Sequence, residues 1–169
     1  ASINSSTNVS CYGGNDGSAT VTATGGTQPY FYIWSNGNTT DNNTGLSAGT
    51  YYVSVTDANG CIDNTSIIIT EPNLLIASIN SSTNVSCFGG NDGSALVTAT
   101  GGTQPYSYIW SNGNTTDNNT GLSAGTYYVS VTDANGCADT TSIIISEPNL
   151  LITSINSSNN VSCFGGNDG

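Results

Sequence analysis

The chain has 169 residues with eleven Asp and Glu but no Lys, Arg or His, a formal charge of −11 although only 7% of residues are charged. Nucleic acid is thereby excluded as a partner, since phosphate contacts depend on Lys and Arg, and anionic membrane surfaces are disfavoured for the same reason. No apolar run approaches the length of a bilayer span, so no membrane insertion is expected.

The sequence repeats. Residues 1–76 realign with residues 77–152, and a third copy starts at Thr153 and runs to Gly169. The two full copies differ only at Tyr12/Phe88, Thr20/Leu96, Phe31/Ser107, Ile62/Ala138, Asn64/Thr140 and Thr70/Ser146. A fixed period of this size is the signature of an array of structural repeats. We therefore expect a first repeat over 1–76, a second over 77–152 and a truncated third over 153–169, the whole being a window on a longer array.

Within the first copy, residues 18–24 put Ala19, Val21 and Ala23 on one face and threonines on the other, a half-buried strand. Gly25 and Gly26 end it. Gln28 and Pro29 lead into residues 30–34, where Tyr30, Tyr32 and Trp34 share a face expected to be core. Asn36 and Gly37 form a turn, because Asn-Gly readily adopts positive φ. Residues 38–44 are polar and read as either a short strand or a loop. Residues 50–56 alternate again, with Tyr51, Val53 and Val55 inward. A tight turn at Asp57, Ala58, Asn59 and Gly60 precedes Cys61. Ile67, Ile68 and Ile69 predict a strand buried on both faces or crossing a junction. Pro72 stops it, and residues 74–79 open the first strand of the next copy.

No stretch has helical periodicity. Short strands at regular spacing with turn signals between them predict an all-β chain of tandem small antiparallel β-sandwich repeats, Ig-like, of 76 residues each. A core of that size is marginal and benefits from a covalent staple. Cys11 and Cys61 recur as Cys87 and Cys137, and Cys163 begins a third pair. Two cysteines per repeat without histidine point to disulfides in an oxidising compartment rather than to zinc. Pairing within a repeat, Cys11–Cys61 and Cys87–Cys137, closes loops of about 50 residues and would add roughly 4 kcal/mol each on a chain-entropy basis. Pairing between neighbours, Cys61–Cys87 and Cys137–Cys163, is the alternative.

The turns and strands also form a pattern. Cys-Tyr-Gly-Gly-Asn-Asp-Gly at 11–17 is followed by Gly-Gly-Thr-Gln-Pro-Tyr at 25–30 and Tyr-Ile-Trp-Ser-Asn-Gly at 32–37. Gly-Leu-Ser-Ala-Gly-Thr-Tyr at 45–51 and Val-Thr-Asp-Ala-Asn-Gly-Cys at 55–61 complete it. Together these closely resemble the SprB-type repeat of giant surface adhesins in gliding Bacteroidota. The resemblance implies type IX export, an extracellular, cell-surface location and a role in adhesion or gliding, and it brings no catalytic residues. Near-identity of the copies and the lack of every basic residue depart from that pattern and leave room for a structural filament.

Side-chain chemistry narrows the function further. Without His or Lys, only carboxylates remain for proton transfer. In the first repeat these are Asp16, Asp41, Asp57, Asp63 and Glu71, and Asp16 and Asp57 sit in turns whose backbone they can bond. No enzyme is expected, and no cofactor. Asp16 and Asp63 are weak calcium candidates, since calcium takes six to eight oxygens. Phe31, replaced by Ser107 in the second copy, and Tyr52 are expected at the surface as possible glycan contacts. Asn4, Asn8, Asn38, Asn42 and Asn64 fit a glycosylation sequon, and Thr140 and Thr141 follow Asp139 as an O-glycan candidate, although hydrated loops explain both. The expected function is a structural or adhesive spacer of a surface adhesin or extracellular filament, its partners the neighbouring repeats and other copies in a filament. The alternative is a multivalent glycan- or calcium-dependent binding module. A chain without Lys or Arg also offers trypsin-like proteases no cleavage site.

Overall fold

The computed structural model describes residues 1–167, among which there are twelve strands and no helix. The first unit comprises β1 (Ser2–Thr7), β2 (Gly17–Thr22), β3 (Phe31–Trp34), β4 (Asn42–Leu46), β5 (Gly49–Thr56) and β6 (Ile62–Ile69). The second comprises β7 (Ile76–Thr83), β8 (Gly93–Thr100), β9 (Ser107–Trp110), β10 (Asn118–Leu122), β11 (Gly125–Thr132) and β12 (Ala138–Ile145). Each unit packs two three-stranded antiparallel sheets, ordered β1-β2-β4 and β3-β5-β6, then β7-β8-β10 and β9-β11-β12. That order is the immunoglobulin-like sandwich reduced to six strands.

The alternating residues drive it. Ala19 and Val21 of β2 and Leu46 of β4 meet Trp34 of β3, Val53 and Val55 of β5 and Ile69 of β6 in one core, capped by Val9. The second unit repeats this with Ala95, Val97, Leu122, Trp110, Val129, Val131, Ile145 and Val85. Trp34 is 2% exposed, and its indole Nε1 donates to the Thr40 carbonyl at 2.8 Å, so the one polar atom of the core's largest side chain is satisfied. Tyr51 lies where β4 turns into β5 and donates its hydroxyl to the Ser47 carbonyl at 3.1 Å, the tyrosine corner of this fold.

Three expectations change. The polar stretch left open at 38–44 contains the start of β4, because Asn43 is fully buried and exchanges paired amide hydrogen bonds with Asn36, both 3.1 Å. The isoleucine run is not buried on both faces. It ends an outer strand that pairs only with β5, so Ile69 is 1% exposed while Ile68 is 64% exposed. The first strand of the second unit, β7, starts at Ile76, which leaves Leu74 and Leu75 outside both sheets. Residues 153–167 realign with β1 and β7 yet form no strand; β1 and β7 pair with β2 and β8, and residues 153–167 have no such neighbour among the described residues.

Candidate functional site: the joint between the repeats

The two ends of a unit are built differently. At one end the β1–β2 loop carries Cys11 and is pinned to the end of β6. The Val9 amide donates to the Thr70 carbonyl (2.9 Å), the Thr70 amide to Asn8 Oδ1 (3.0 Å) and the Gly13 amide to Glu71 Oε2 (2.6 Å). Asp16 Oδ1 accepts the Ser10 amide at 3.0 Å, closing the loop across six residues.

At the opposite end the β5–β6 turn carries Cys61 and is organised by one carboxylate. Asp57, 8% exposed, accepts the Thr27 amide on Oδ2 and the Asn59 and Cys61 amides on Oδ1, all at 2.9 Å. Asp133 does the same for Thr103, Asn135 and Cys137 in the second unit. The turn is thereby tied to the Gly25–Gly26 loop in the first unit and to the Gly101–Gly102 loop in the second.

Where the units meet, the first end of unit one seats on the second end of unit two. Cys11 and Cys137 form a disulfide with Cα atoms 5.7 Å apart. Asn135 Nδ2 donates to the Ser10 carbonyl at 2.9 Å, and the Gly102 amide to the Asn73 carbonyl at 2.8 Å. Leu75, from the segment between β6 and β7, is 5% exposed and faces Gly102. The Ala77 amide then donates to Asp139 Oδ2 at 2.8 Å as the chain enters β7. A covalent bond, an apolar plug and two hydrogen bonds between the units fix the joint, and the Ala77–Asp139 bond orders the start of unit two beside it.

This corrects both disulfide readings. Cys11 lies beyond the Thr70 end of β6 and Cys61 just before its start, so Cys11–Cys61 and Cys87–Cys137 would each have to span an eight-residue strand. At about 3.3 Å per residue that is roughly 26 Å, far beyond the reach of a disulfide. Cys61–Cys87 would join the two outer ends of the pair, and Cys137, already bonded to Cys11, is not bonded to Cys163. Cys61, Cys87 and Cys163 are free and exposed. Sequence reasoning missed Gly25, Gly26 and Asp57 as joint residues; the recurrence of two cysteines and two leucines per period was the available signal.

The other candidates fall elsewhere. Asp16 and Asp63 sit at opposite ends of β1, Asp63 accepting from the Ala1 amine at 2.5 Å and from the Asn64 amide at 2.9 Å. They do not meet, and among the described residues no three His, Cys, Asp or Glu side chains converge on a metal-sized site. Phe31 (59% exposed) and Tyr52 (62%) lie on the outer face of the β3-β5-β6 sheet with Ile33, Ile62 and Ile68. Three of the six differences between the copies, at 31/107, 62/138 and 64/140, fall on this face, whereas the joint residues at 10, 11, 25–27, 59, 61 and 72–75 recur unchanged.

Charge at the joint has a pH consequence. The Thr27 and then the Cys61 amide hold the Asp57 carboxyl below its usual range. Burial pushes Asp133 up, but the Thr103, Cys137 and Asn135 amides outweigh it and the net shift is downward. The Ser10 hydroxyl and amide lower Asp16, and Ser86 lowers Asp92 in the same way. A carboxylate with a lowered folded pKa contributes stability that is fully present above the unfolded value and is lost only as pH falls through the folded one. The unfolding midpoint is therefore expected to hold from pH 7 to about pH 5 and to fall only below about pH 4, where free Asp titrates. Thermal melts by circular dichroism across that range check it.

Fold and joint together define a repeat protein built from Ig-like sandwiches locked end to end. The SprB repeat family matches residues 3–39 and 79–115, the first half of each unit. No curated protein sequence matches the chain. Among solved structures, it is similar to the C-terminal 282-residue fragment of intimin in complex with the intimin-binding domain of the translocated intimin receptor. The identity is 16% and the TM-score 0.44, over 86% of this chain and 64% of that one, so the chain spans less than two thirds of the fragment. It is also similar to the amphioxus IgVJ-C2 molecule (18% identity, TM-score 0.37, 79% and 97% covered). Domains 4–9 of the surface layer protein SbsC match at 13% identity, TM-score 0.35, with 90% and 32% covered. No helix among the described residues is long and apolar enough to cross a membrane.

Proposed function

We propose that the chain is a non-catalytic spacer of a bacterial cell-surface array, an adhesin or extracellular filament, in which SprB repeats set reach and stiffness. The joint carries this reading. A flexible string of beads needs only a polar linker between units; here Leu75 is buried and Cys11 is bonded to Cys137, so each unit fixes the direction of the next. Four of the first unit's five carboxylates are committed to the fold: Asp16, Asp57 and Glu71 accept backbone amides that hold a turn or a loop, and Asp63 accepts the Asn64 amide and the Ala1 amine. A multivalent binding module would keep its contact face in every copy, yet Phe31 becomes Ser107 and Ile62 becomes Ala138.

Small-angle X-ray scattering tests the spacer. The oxidised chain is expected to scatter as one stiff particle with a narrow spread of dimensions. The Cys11→Ser, Cys137→Ser double variant should keep both sandwiches folded and show a broader distribution with a hinge between them. Equal flexibility in both forms would remove the mechanical role of the joint.

A further inference from the structure

The same surfaces occur twice in this chain, once covered and once bare. In the second unit, Gly101, Gly102, Thr103, Cys137 and Asp139 are half-buried and Ala77 is buried, because unit one sits on them. Their counterparts in the first unit, Gly25, Gly26, Thr27, Cys61 and Asp63, are exposed and Ala1 is half-buried. A cavity of about 150 Å³ stands there, lined by Ala23, Gly26, Tyr30, Val55, Asp57 and Cys61 among others. The complementary end shows the reverse. Ser10 and Cys11 are half-buried and Leu75 is 5% exposed at the joint, whereas Ser86 and Cys87 are exposed and Leu151 is 88% exposed. The turn that presents Cys61 is already formed, with the same Asp57 hydrogen bonds that Asp133 makes at the occupied site.

We propose that the cavity at Gly26 and Cys61 is a docking socket for a further SprB repeat, and that Cys87 and Leu151 form the matching plug. This rests on the spacer reading and gives it a covalent rule: the first cysteine of each repeat bonds the second cysteine of the next. The interface is heterologous and does not close on itself, so it propagates as a line. Every bead is then stapled to both neighbours, and no bead is stapled to itself. The identity of the joint residues in the two copies follows from this, since each repeat must serve as plug on one side and socket on the other. Each bond forms when two thiols pass two protons and two electrons to a disulfide oxidant, which is reduced to two thiols.

The two copies differ beside their cysteines, and that makes the rule readable. A second copy of residues 77–152 is placed directly ahead of Ala1, so that its Leu-Leu-Ile precedes Ala1 as residues 74–76 precede Ala77. The three-unit chain is refolded in a glutathione redox buffer, alkylated and digested with pepsin, which cuts without Lys or Arg. With Cys87→Ser and Cys163→Ser made in the original chain, the added unit's first cysteine is the only one followed by Phe, and it is expected on the Cys61 peptide, marked by Ile62, alongside the retained Cys11–Cys137 bond. Gly25→Ala in the same chain should sharply reduce that linkage while Cys11–Cys137 persists. Cys61 recovered as an alkylated thiol, or the added unit bonded within itself, with Cys11–Cys137 intact, overturns the docking rule and leaves the spacer reading standing. Loss of Cys11–Cys137 as well overturns both.

Discussion

Trp34→Ala is expected to destabilise the first sandwich severely and leave the second standing. Trp34 is 2% exposed at the centre of a core whose other members are small aliphatics, and its indole satisfies the Thr40 carbonyl. Truncating a buried Trp costs about 3–5 kcal/mol, and a unit of this size has only about 4–11 kcal/mol in total at typical values per residue. The unit's midpoint should fall by on the order of 20 °C, at the several degrees per kcal/mol that small domains show. The core of unit two contains no residue of unit one, so its own transition should barely move. Fluorescence separates the two, because in the variant Trp110 is the remaining tryptophan and reports the second unit alone. Circular dichroism should show two transitions where the parent has one or two close together. Trp110→Ala is the mirror experiment, with Trp34 as the surviving probe. A single shared shift in both variants would mean that the joint couples the units into one cooperative body.

Much of this fold was legible because alternation reports burial directly. Ala19 and Val21, then Val53 and Val55, sit where a two-residue period places them, and each lies in the core. Legibility failed where a polar residue is buried or an apolar one is not. Asn43 is invisible to a hydrophobic pattern, since its burial depends on Asn36 seven residues earlier and on the turn that brings the two amides together. Ile68 misled in the other direction, because three isoleucines in a row fit a strand buried on both faces as well as one with a wet face.

The joint was half visible. Residues 74–76 stood out as an apolar run after a proline, and the cysteine period marked a covalent framework. Connectivity did not follow, because it depends on which end of the sandwich each cysteine occupies. That is settled by strand direction: β1 and β6 are neighbours, yet Cys11 trails the one and Cys61 precedes the other. Gly25 and Gly26 read as the end of a strand, with nothing to show that a neighbour's backbone lies against the matching pair in the next unit.

Gly101→Ala should break the joint, whereas the same change at Gly25 should carry only the local backbone penalty in this chain. Both positions have positive φ, +72° and +78°, so both variants carry the left-handed penalty of roughly 1–2 kcal/mol for a residue with a side chain. Their surroundings differ. A Cβ at Gly101 would overlap the Leu74 carbonyl oxygen and stand 2.7 Å from its carbon, and neither atom can turn aside as a side-chain tip would. A Cβ at Gly25 meets nothing within 4 Å. The segment carrying Leu74 and Leu75 must therefore lift in the Gly101 variant, exposing Leu75 and forfeiting about 1.5–3 kcal/mol of burial. The Gly102–Asn73 hydrogen bond goes with it. Denaturant melts should place Gly101→Ala below Gly25→Ala by about that margin. Hydrogen exchange should localise the difference to the Gly102 amide and to the entry of β7, leaving β5 and β11 protected. Because the two sites are sequence-identical, propensity and strain cancel between them, and what remains is the energy of one repeat resting on the next.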